Sequence, residues 1–125
     1  MTMSATSPQH GAQPVWLVSE GRVLASARRA TTRGERRRGL LGATHVDEPL
    51  VLEPCSWIHT VGMRTPIDVV YVAQDGTVLS TSHMRPWRVG PLTRNARVIV
   101  EAAPGSIERW NVKPGDKLEV RNVES

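Results

Sequence analysis

Four side chains able to act in acid–base, nucleophilic or metal chemistry lie in strand-like or motif-like stretches of this 125-residue chain: Cys55, His59, Asp68 and Glu101. If residues 55–59 are extended, Cys55 and His59 lie on one face, because strand side chains repeat every two residues. The imidazole could then generate a thiolate for nucleophilic catalysis. A cysteine, a histidine and a carboxylate could also bind zinc.

A structural role competes with both interpretations. Cys55 is the single cysteine, which excludes an intrachain disulfide and any site that needs two thiolates from one chain. A lone cysteine commonly packs as a small hydrophobic residue. Since neither a nucleophile signature nor a metal-ligand spacing is complete, we predict no metal site and no cofactor. If the protein is an enzyme, the sequence does not decide which of the four candidates are its catalytic residues.

The two carboxylates each need a partner if they are buried, because an unpaired buried charge is costly. Asp68 stands at the start of the most apolar segment, where Arg64 and Arg97 are the expected counter-ions and backbone N–H groups near Thr65 are the alternative. For Asp68, fastening the adjacent proline turn is favoured over catalysis. Glu101 has Arg97 on its own face and could form a cross-strand ion pair.

The elements that position these residues are mainly strands. Apolar runs flank Ser19–Gly21 and, more clearly, Asp75–Gly76, and both arrangements indicate β-hairpins. The segment IDVVYVA has two apolar faces, so we expect a central, buried strand. Further strands are predicted in PLVLEP, RVIVEA and VKPGDKLEV, and residues 84–95 are predicted to form a long loop.

Two short helices complete the predicted elements. Thr32 and Glu35 fit a capping box, and Gly42 is placed to end that helix. A second helix opens at residues 104–106 and closes at Asn111. The four tryptophans, Trp16, Trp57, Trp87 and Trp110, are expected to fill the core. Residues 1–14 are predicted to be a disordered tail, and residues 15–125 a single domain.

Three segments together resemble a known family. They are ERRRGLLG, CSWIHTVGMRTPIDVVYVAQDGTV and ARVIVEAAPGSIERWNVKPGDKLEV, in the order and spacing of the domain-of-unknown-function family 192. The resemblance covers residues 22–121 and implies a mainly β (α+β) fold, a small barrel-like β domain with two short helices. It implies no particular chemistry. The sequence departs from the commoner W-M-x-N-T form at residues 62–65 and resembles the variant with Cys and His before Met63.

The family core coincides with polar residues in buried-looking sequence, and this overlap locates the expected ligand site. We expect a pocket at one mouth of the barrel, closed by residues 85–94. The residues expected to line it are His59, Thr60, Met63, Arg64 and Asp68. His59 could exchange a proton near neutral pH, while a bond to a backbone carbonyl is its structural alternative. His83 could line the same mouth.

Three functions stay open at this point. The leading one is a small-ligand-binding or accessory module. The enzyme alternative uses Cys55 or His59 with Asp68 or Glu101 in acid–base or thiol chemistry. Non-specific nucleic-acid binding through the arginine-rich segment 28–38 is weaker, because no nucleic-acid motif or aromatic stacking platform accompanies it.

The composition of the chain and the motifs that it lacks limit the classes of binding partner that we expect. Lys and Arg number 16 against 12 Asp and Glu, a net charge of +4. No phosphate loop, dinucleotide glycine pattern or hydrolase nucleophile motif is present. Since there is neither a long uncharged apolar stretch nor a secretory signal, we expect a cytoplasmic protein without a membrane partner. A small molecule is the expected partner, nucleic acid is not, and the oligomeric state stays open.

Overall fold

Seven strands and one helix make up the part of the chain that the computed structural model describes, residues 12–30, 46 and 48–123. The strands are β1 (Ala12–Ser19), β2 (Arg22–Ala30), β3 (Leu50–Leu52), β4 (Ile67–Ala73), β5 (Val78–Met84), β6 (Ala96–Ala102) and β7 (Glu119–Asn122). The helix α1 (Ser106–Trp110) follows β6. All strands form one sheet in the order β5-β4-β6-β3-β2-β1-β7, in which only β2 and β3 pair in parallel.

Both predicted hairpins are confirmed. β1 and β2 pair around Glu20 and Gly21, whose φ angles of 55° and 75° suit a tight two-residue turn. β4 and β5 flank the Asp75–Gly76 turn in the same way. β1 begins at Ala12, ahead of the predicted domain start, because residues 12–14 pair along β2. The rest of the predicted tail lies outside the described residues.

Two apolar clusters cover opposite faces of the sheet. The first includes Val70, Val72, Val98, Val100 and Trp110 of α1. The second includes Ile58, Met63, Val69, Tyr71 and Ile99. Because successive residues of β4 enter different clusters, that strand is buried on both faces, as predicted.

The prediction that all four tryptophans fill the core is wrong. Trp110 is 8% exposed, whereas Trp16, Trp57 and Trp87 are 41%, 43% and 64% exposed. The interior is filled instead by Val, Ile and Leu side chains together with Tyr71. Branched side chains of this size pack closely on pleated strand surfaces, which accounts for their place in the core.

The sheet is open, so the expected barrel is not confirmed. Within the described chain, no ladder of hydrogen bonds joins the edge strands β5 and β7. An isolated bridge pairs Thr77, directly before β5, with Lys117, shortly before β7. One predicted helix is confirmed as α1, which closes at Asn111 with a φ of 56°. The other, over residues 32–42, lies outside the described residues.

A buried carboxylate fastens α1 to β4. Asp68 is 4% exposed, and its Oδ2 accepts the backbone N–H groups of Gly105 and Ile107, each at 3.0 Å. Its Oδ1 accepts the Nδ1–H of His83, the cross-strand neighbour on β5, at 2.9 Å. These three bonds satisfy a charge that would otherwise be costly in the interior.

We expect Asp68→Ala to lower the free energy of unfolding by about 3 kcal/mol, because it leaves two partly buried N–H groups at the helix start without their acceptor. The matched control His83→Ala removes one bond from an exposed imidazole and should cost under about 1 kcal/mol. Urea unfolding followed by circular dichroism measures both. Equal losses in the two variants would show that the bonds to α1 do not carry the effect.

Candidate functional site

Glu101 is a buried carboxyl group on β6. It lies between Val69 of β4 and Leu50 of β3 and is 3% exposed. Its Oε1 has no hydrogen-bond partner within the described part of the chain. Burial raises the pKa of Glu101 from 4.5 to about 7, because the apolar surroundings disfavour the charged form. A large share of the molecules therefore hold this carboxyl group protonated at neutral pH.

Tyr71 places a second buried polar atom on the same face of the sheet. It pairs with Ile99, two residues before Glu101, so Tyr71 and Glu101 are diagonal neighbours with Cβ atoms roughly 7 Å apart. The Tyr71 hydroxyl is buried and, among the described residues, also lacks a hydrogen-bond partner. Burial raises the pKa of Tyr71, and the negative charges of Cys55 and Glu101 raise it further. The phenol therefore stays neutral and can donate.

Cys55 lies close enough to act electrostatically on Tyr71. Its Sγ donates to the carbonyl oxygen of Trp57 at 3.2 Å, and its backbone N–H donates to that of Arg97 at 2.8 Å. The side chain is partly buried against the second apolar cluster. A carboxyl group, a phenol and a thiol therefore lie near one another on one face of the sheet.

Gly90 covers the Tyr71 hydroxyl. Its N–H donates to the carbonyl oxygen of Ile58 at 3.0 Å. A Cβ at Gly90 would lie 3.0 Å from Tyr71 Oη and 3.3 Å from Met84 Cε, which leaves no room for a larger residue. The absence of a side chain therefore allows this backbone to close over the phenol.

Thr60 joins the two irregular segments above Tyr71, residues 55–60 and 85–95. Its hydroxyl donates to the carbonyl oxygen of Arg85 at 2.6 Å and accepts the N–H of Arg88 at 2.8 Å. The Thr60 backbone N–H donates to the carbonyl oxygen of Arg88 at 2.8 Å. Thr60 is fully buried, so these contacts support a structural role. Its predicted part in ligand binding stays a prediction.

The residues predicted to line one pocket lie in different surroundings. His59 and Arg64 are exposed, whereas Met63 is buried in the second apolar cluster. Asp68 faces α1, on the side of β4 opposite to Tyr71, because neighbouring strand residues point to opposite faces. The alternation along β4 thus separates Asp68 from the face that holds Glu101.

His59 lies at the surface beside Trp57. Their ring centroids are 5.6 Å apart, and His59 Nδ1 accepts the N–H of Val61 at 3.2 Å. The imidazole therefore bonds to the local backbone, but through an N–H group rather than the expected carbonyl. Its predicted role as a ligand donor is not tested by these contacts and stays a prediction.

Neither carboxylate has the predicted arginine partner. Asp68 bonds to His83 and to α1, and the Oε1 of Glu101 has no bond to Arg97, which is exposed near the start of β6. The partner His83 could have been found from the sequence. Counting outward from the Asp75–Gly76 turn places residue 83 opposite residue 68, as the pairing of β4 and β5 has it.

The arginine-rich segment begins on a strand. Arg28 and Arg29 belong to β2 and form ion pairs with Glu48 at 3.0 Å and with Glu53 at 3.5 Å. These two arginines therefore lie on a strand and already have acidic partners. The arginines at positions 33 and 36–38 lie outside the described residues.

The described ranges hold neither a metal-ligand cluster nor a membrane-spanning helix. Within residues 12–30, 46 and 48–123, no three His, Cys, Asp or Glu side chains come together as metal ligands. No helix in these ranges is long and apolar enough to span a membrane. Glu101 and Tyr71 offer this part of the chain two buried groups that can donate hydrogen bonds, with Cys55 beside them.

We expect Glu101→Gln to remove a specific pH dependence of stability. The folded protein keeps this proton up to about pH 7, whereas the unfolded chain loses it near pH 4.5, so deprotonation destabilises the fold as pH rises between these values. Each tenfold change in proton affinity corresponds to about 1.4 kcal/mol, so the wild type should lose roughly 3 kcal/mol relative to the variant across this range.

Urea titrations at pH 4 to 8 measure this difference in unfolding free energy. The control Glu20→Gln changes an exposed turn residue and should leave the pH profile close to that of the wild type. Parallel profiles for the wild type and Glu101→Gln would contradict the assignment.

Comparisons with known sequences place the chain among uncharacterised proteins. Residues 15–120 match the DUF192 family, described as an uncharacterized ACR. A UPF0127 protein of Pyrococcus furiosus is 37% identical over 62 residues, which are 50% of this chain and 53% of that protein. A UPF0127 protein of Pyrococcus abyssi is 32% identical over 62 residues, with the same coverage. The chain thus spans about half the length of the curated relatives it matches.

Solved structures share the fold. A protein of unknown function from Novosphingobium aromaticivorans superposes with a TM-score of 0.73 at 23% identity, covering 94% of this chain and 93% of that one. A candidate transcription regulator from Sinorhizobium meliloti gives a TM-score of 0.62 at 19% identity, covering 87% and 93%. The family match over residues 15–120 confirms the resemblance found in the sequence motifs. This chain belongs to the DUF192 family.

Proposed function

We propose that the chain is a small-ligand-binding module in which Tyr71 and Glu101 donate hydrogen bonds to an oxygen atom of the ligand. The observation that carries the proposal is that two buried polar atoms on one sheet face lack a partner among the described residues. Leaving a buried polar group without a hydrogen bond costs about 1–3 kcal/mol, and folded proteins rarely do so. A bound ligand would supply the acceptor that both groups lack.

The surroundings favour a neutral ligand with an apolar body. Below about pH 7, Glu101, whose pKa burial raises to about 7, and the neutral Tyr71 both present hydrogens rather than charges. The neighbouring side chains Ile58, Val69 and Ile99 are apolar and buried. A small ketone, aldehyde or amide combines the carbonyl acceptor with the apolar surface that such surroundings accept. Paired donors of this kind also polarise a carbonyl group.

The ligand would approach beneath the irregular segments 55–60 and 85–95. Between them, His59 and Val89 form an isolated bridge, and separate hydrogen bonds such as those of Thr60 and Gly90 complete the contact. Contacts of this kind open more readily than a continuous ladder. We place the entry route here because these segments lie over the Tyr71 hydroxyl.

Enzymatic proton transfer is the second candidate function. A carboxyl group with a pKa of about 7 is suited to general acid–base catalysis near neutral pH, and Glu101 has this property. The Tyr71 hydroxyl would stabilise the oxygen of an enol or enolate. In this version of the enzyme alternative, Glu101 carries the acid–base role, while Asp68 stays bound to α1.

Cyclohexanone is a suitable probe, with benzene as an apolar control that lacks an acceptor. We expect cyclohexanone to bind saturably and to shift amide resonances around residues 69–71 and 99–101 in NMR spectra. Tyr71→Phe should weaken this binding about tenfold, the usual effect of losing one net hydrogen bond. Because the deleted hydroxyl has no partner, the same variant should unfold at an equal or higher urea concentration than the wild type.

Three outcomes separate the alternatives. Accelerated deuterium exchange at the α-carbons of cyclohexanone, lost in Glu101→Gln, would favour the enzyme over the binding module. Equal affinity for benzene and cyclohexanone, or equal affinity in Tyr71→Phe, would overturn the proposed donors. A crystal structure with one ordered water between Tyr71 Oη and Glu101, from a protein that binds no cyclohexanone, would assign the pair to a structural water.

A further inference from the structure

Five exposed apolar side chains lie in or directly after the two segments that cover Tyr71. We name them the Trp57–Trp87 patch, and they are Trp57, Val61, Trp87, Val89 and Leu92. Trp87, Val89 and Leu92 are 64%, 65% and 74% exposed. Isolated exposed hydrophobic residues are ordinary, but several of them on two paired segments, including two tryptophans, point to an interaction surface.

Hydrogen bonds between the segments bring the members of the patch together. An isolated bridge pairs His59 with Val89, and the N–H of Trp87 donates to the carbonyl oxygen of Thr60 at 2.9 Å. Farther along, the N–H of Thr93 donates to the carbonyl oxygen of Ser56 at 3.0 Å. The two tryptophans therefore lie on chain segments that run side by side.

The patch has a strongly basic rim. Residues 54–67 and 82–100 contain five arginines and no aspartate or glutamate. The arginines are Arg64, Arg85, Arg88, Arg94 and Arg97, and all five are exposed. Across the whole chain, by contrast, Lys and Arg exceed Asp and Glu by only four. The positive charge near the patch is therefore concentrated, and a complementary partner is both anionic and apolar.

We propose that the Trp57–Trp87 patch docks on the surface of a lipid bilayer that contains anionic headgroups. Tryptophan side chains prefer the boundary between headgroups and acyl chains, and arginines are attracted to anionic lipid. Aliphatic side chains such as Val89 and Leu92 gain from contact with acyl chains. Docking of this kind is peripheral and needs no spanning helix.

Two other occupants fit the surface less well. A second copy of the chain would bring one arginine rim against another, and this like-charge contact opposes self-association. Single-stranded nucleic acid would be bound by stacking of bases on aromatic rings, but three of the five patch residues are aliphatic. The proposal departs from the expectation of no membrane partner, which rested on the lack of a spanning segment and a secretory signal. It does not depend on Tyr71 or Glu101 binding a ligand.

Co-sedimentation of the full chain with vesicles tests the proposal. We expect binding to vesicles of equal parts phosphatidylglycerol and phosphatidylcholine, little binding to phosphatidylcholine alone, and a blue shift of tryptophan fluorescence on binding. The double variant Trp57→Ala/Trp87→Ala should bind at least tenfold more weakly. Arg85→Gln and Arg88→Gln should each weaken binding about fivefold at low salt.

Trp16→Ala is the matched control, because Trp16 on β1 is 41% exposed, close to the 43% of Trp57. It should leave vesicle binding unchanged, and urea unfolding would verify that every variant is folded. The absence of binding to anionic vesicles, or equal losses in Trp16→Ala and the double variant, would overturn the proposal. Tighter binding to a single-stranded thymidine 20-mer, lost in the double variant, would assign the surface to nucleic acid instead.

Discussion

Burial of β4 and β6 on both faces is the constraint on which the rest of this structure depends. A polar side chain in the buried stretches, residues 67–72 of β4 and 98–102 of β6, is removed from water whichever way it points, so it must find a partner in the protein. Among the described residues, Asp68 and Glu101 are the acidic side chains in this position. Asp68 accepts hydrogen bonds from the protein, whereas Glu101 Oε1 has no partner among the described residues. This difference separates Asp68, the structural carboxylate, from Glu101, the candidate functional one.

Both carboxylate oxygens of Asp68 accept hydrogen bonds within the fold. Its two oxygens accept bonds from the start of α1 and from His83, so the short helix is fixed against the sheet. Glu101 faces the other cluster, where the available neighbours are apolar side chains and the Tyr71 phenol. Burial therefore raises its pKa, and the proton that it retains becomes a donor without a described acceptor. Stability alone would favour an apolar residue here, which supports a functional role.

The strands were largely predictable from the sequence, but the surroundings of the side chains were not. Alternating apolar residues and turn signals at Glu20–Gly21 and Asp75–Gly76 locate the hairpins, because both signals are local. The hydrogen-bond partners of Asp68 depend on how α1 packs against the sheet. The lack of a described partner for Glu101 Oε1 depends on which strands lie beside β6. Both are long-range properties. The tryptophans were misplaced because residue type indicates a preference for burial, whereas exposure is decided by the packing of the irregular segments.

The proposed role of Tyr71 and Glu101 as paired donors depends most directly on the protonation of Glu101 near neutral pH. Carbon-13 NMR of the glutamate side-chain carboxyl groups, with Glu101 assigned by comparison with Glu101→Gln, follows that proton without reference to stability or binding. A midpoint for Glu101 near pH 7 is the expected result. A midpoint for Glu101 near 4.5, the ordinary value for this side chain, would show that the carboxyl group is solvated or paired and would contradict the central claim.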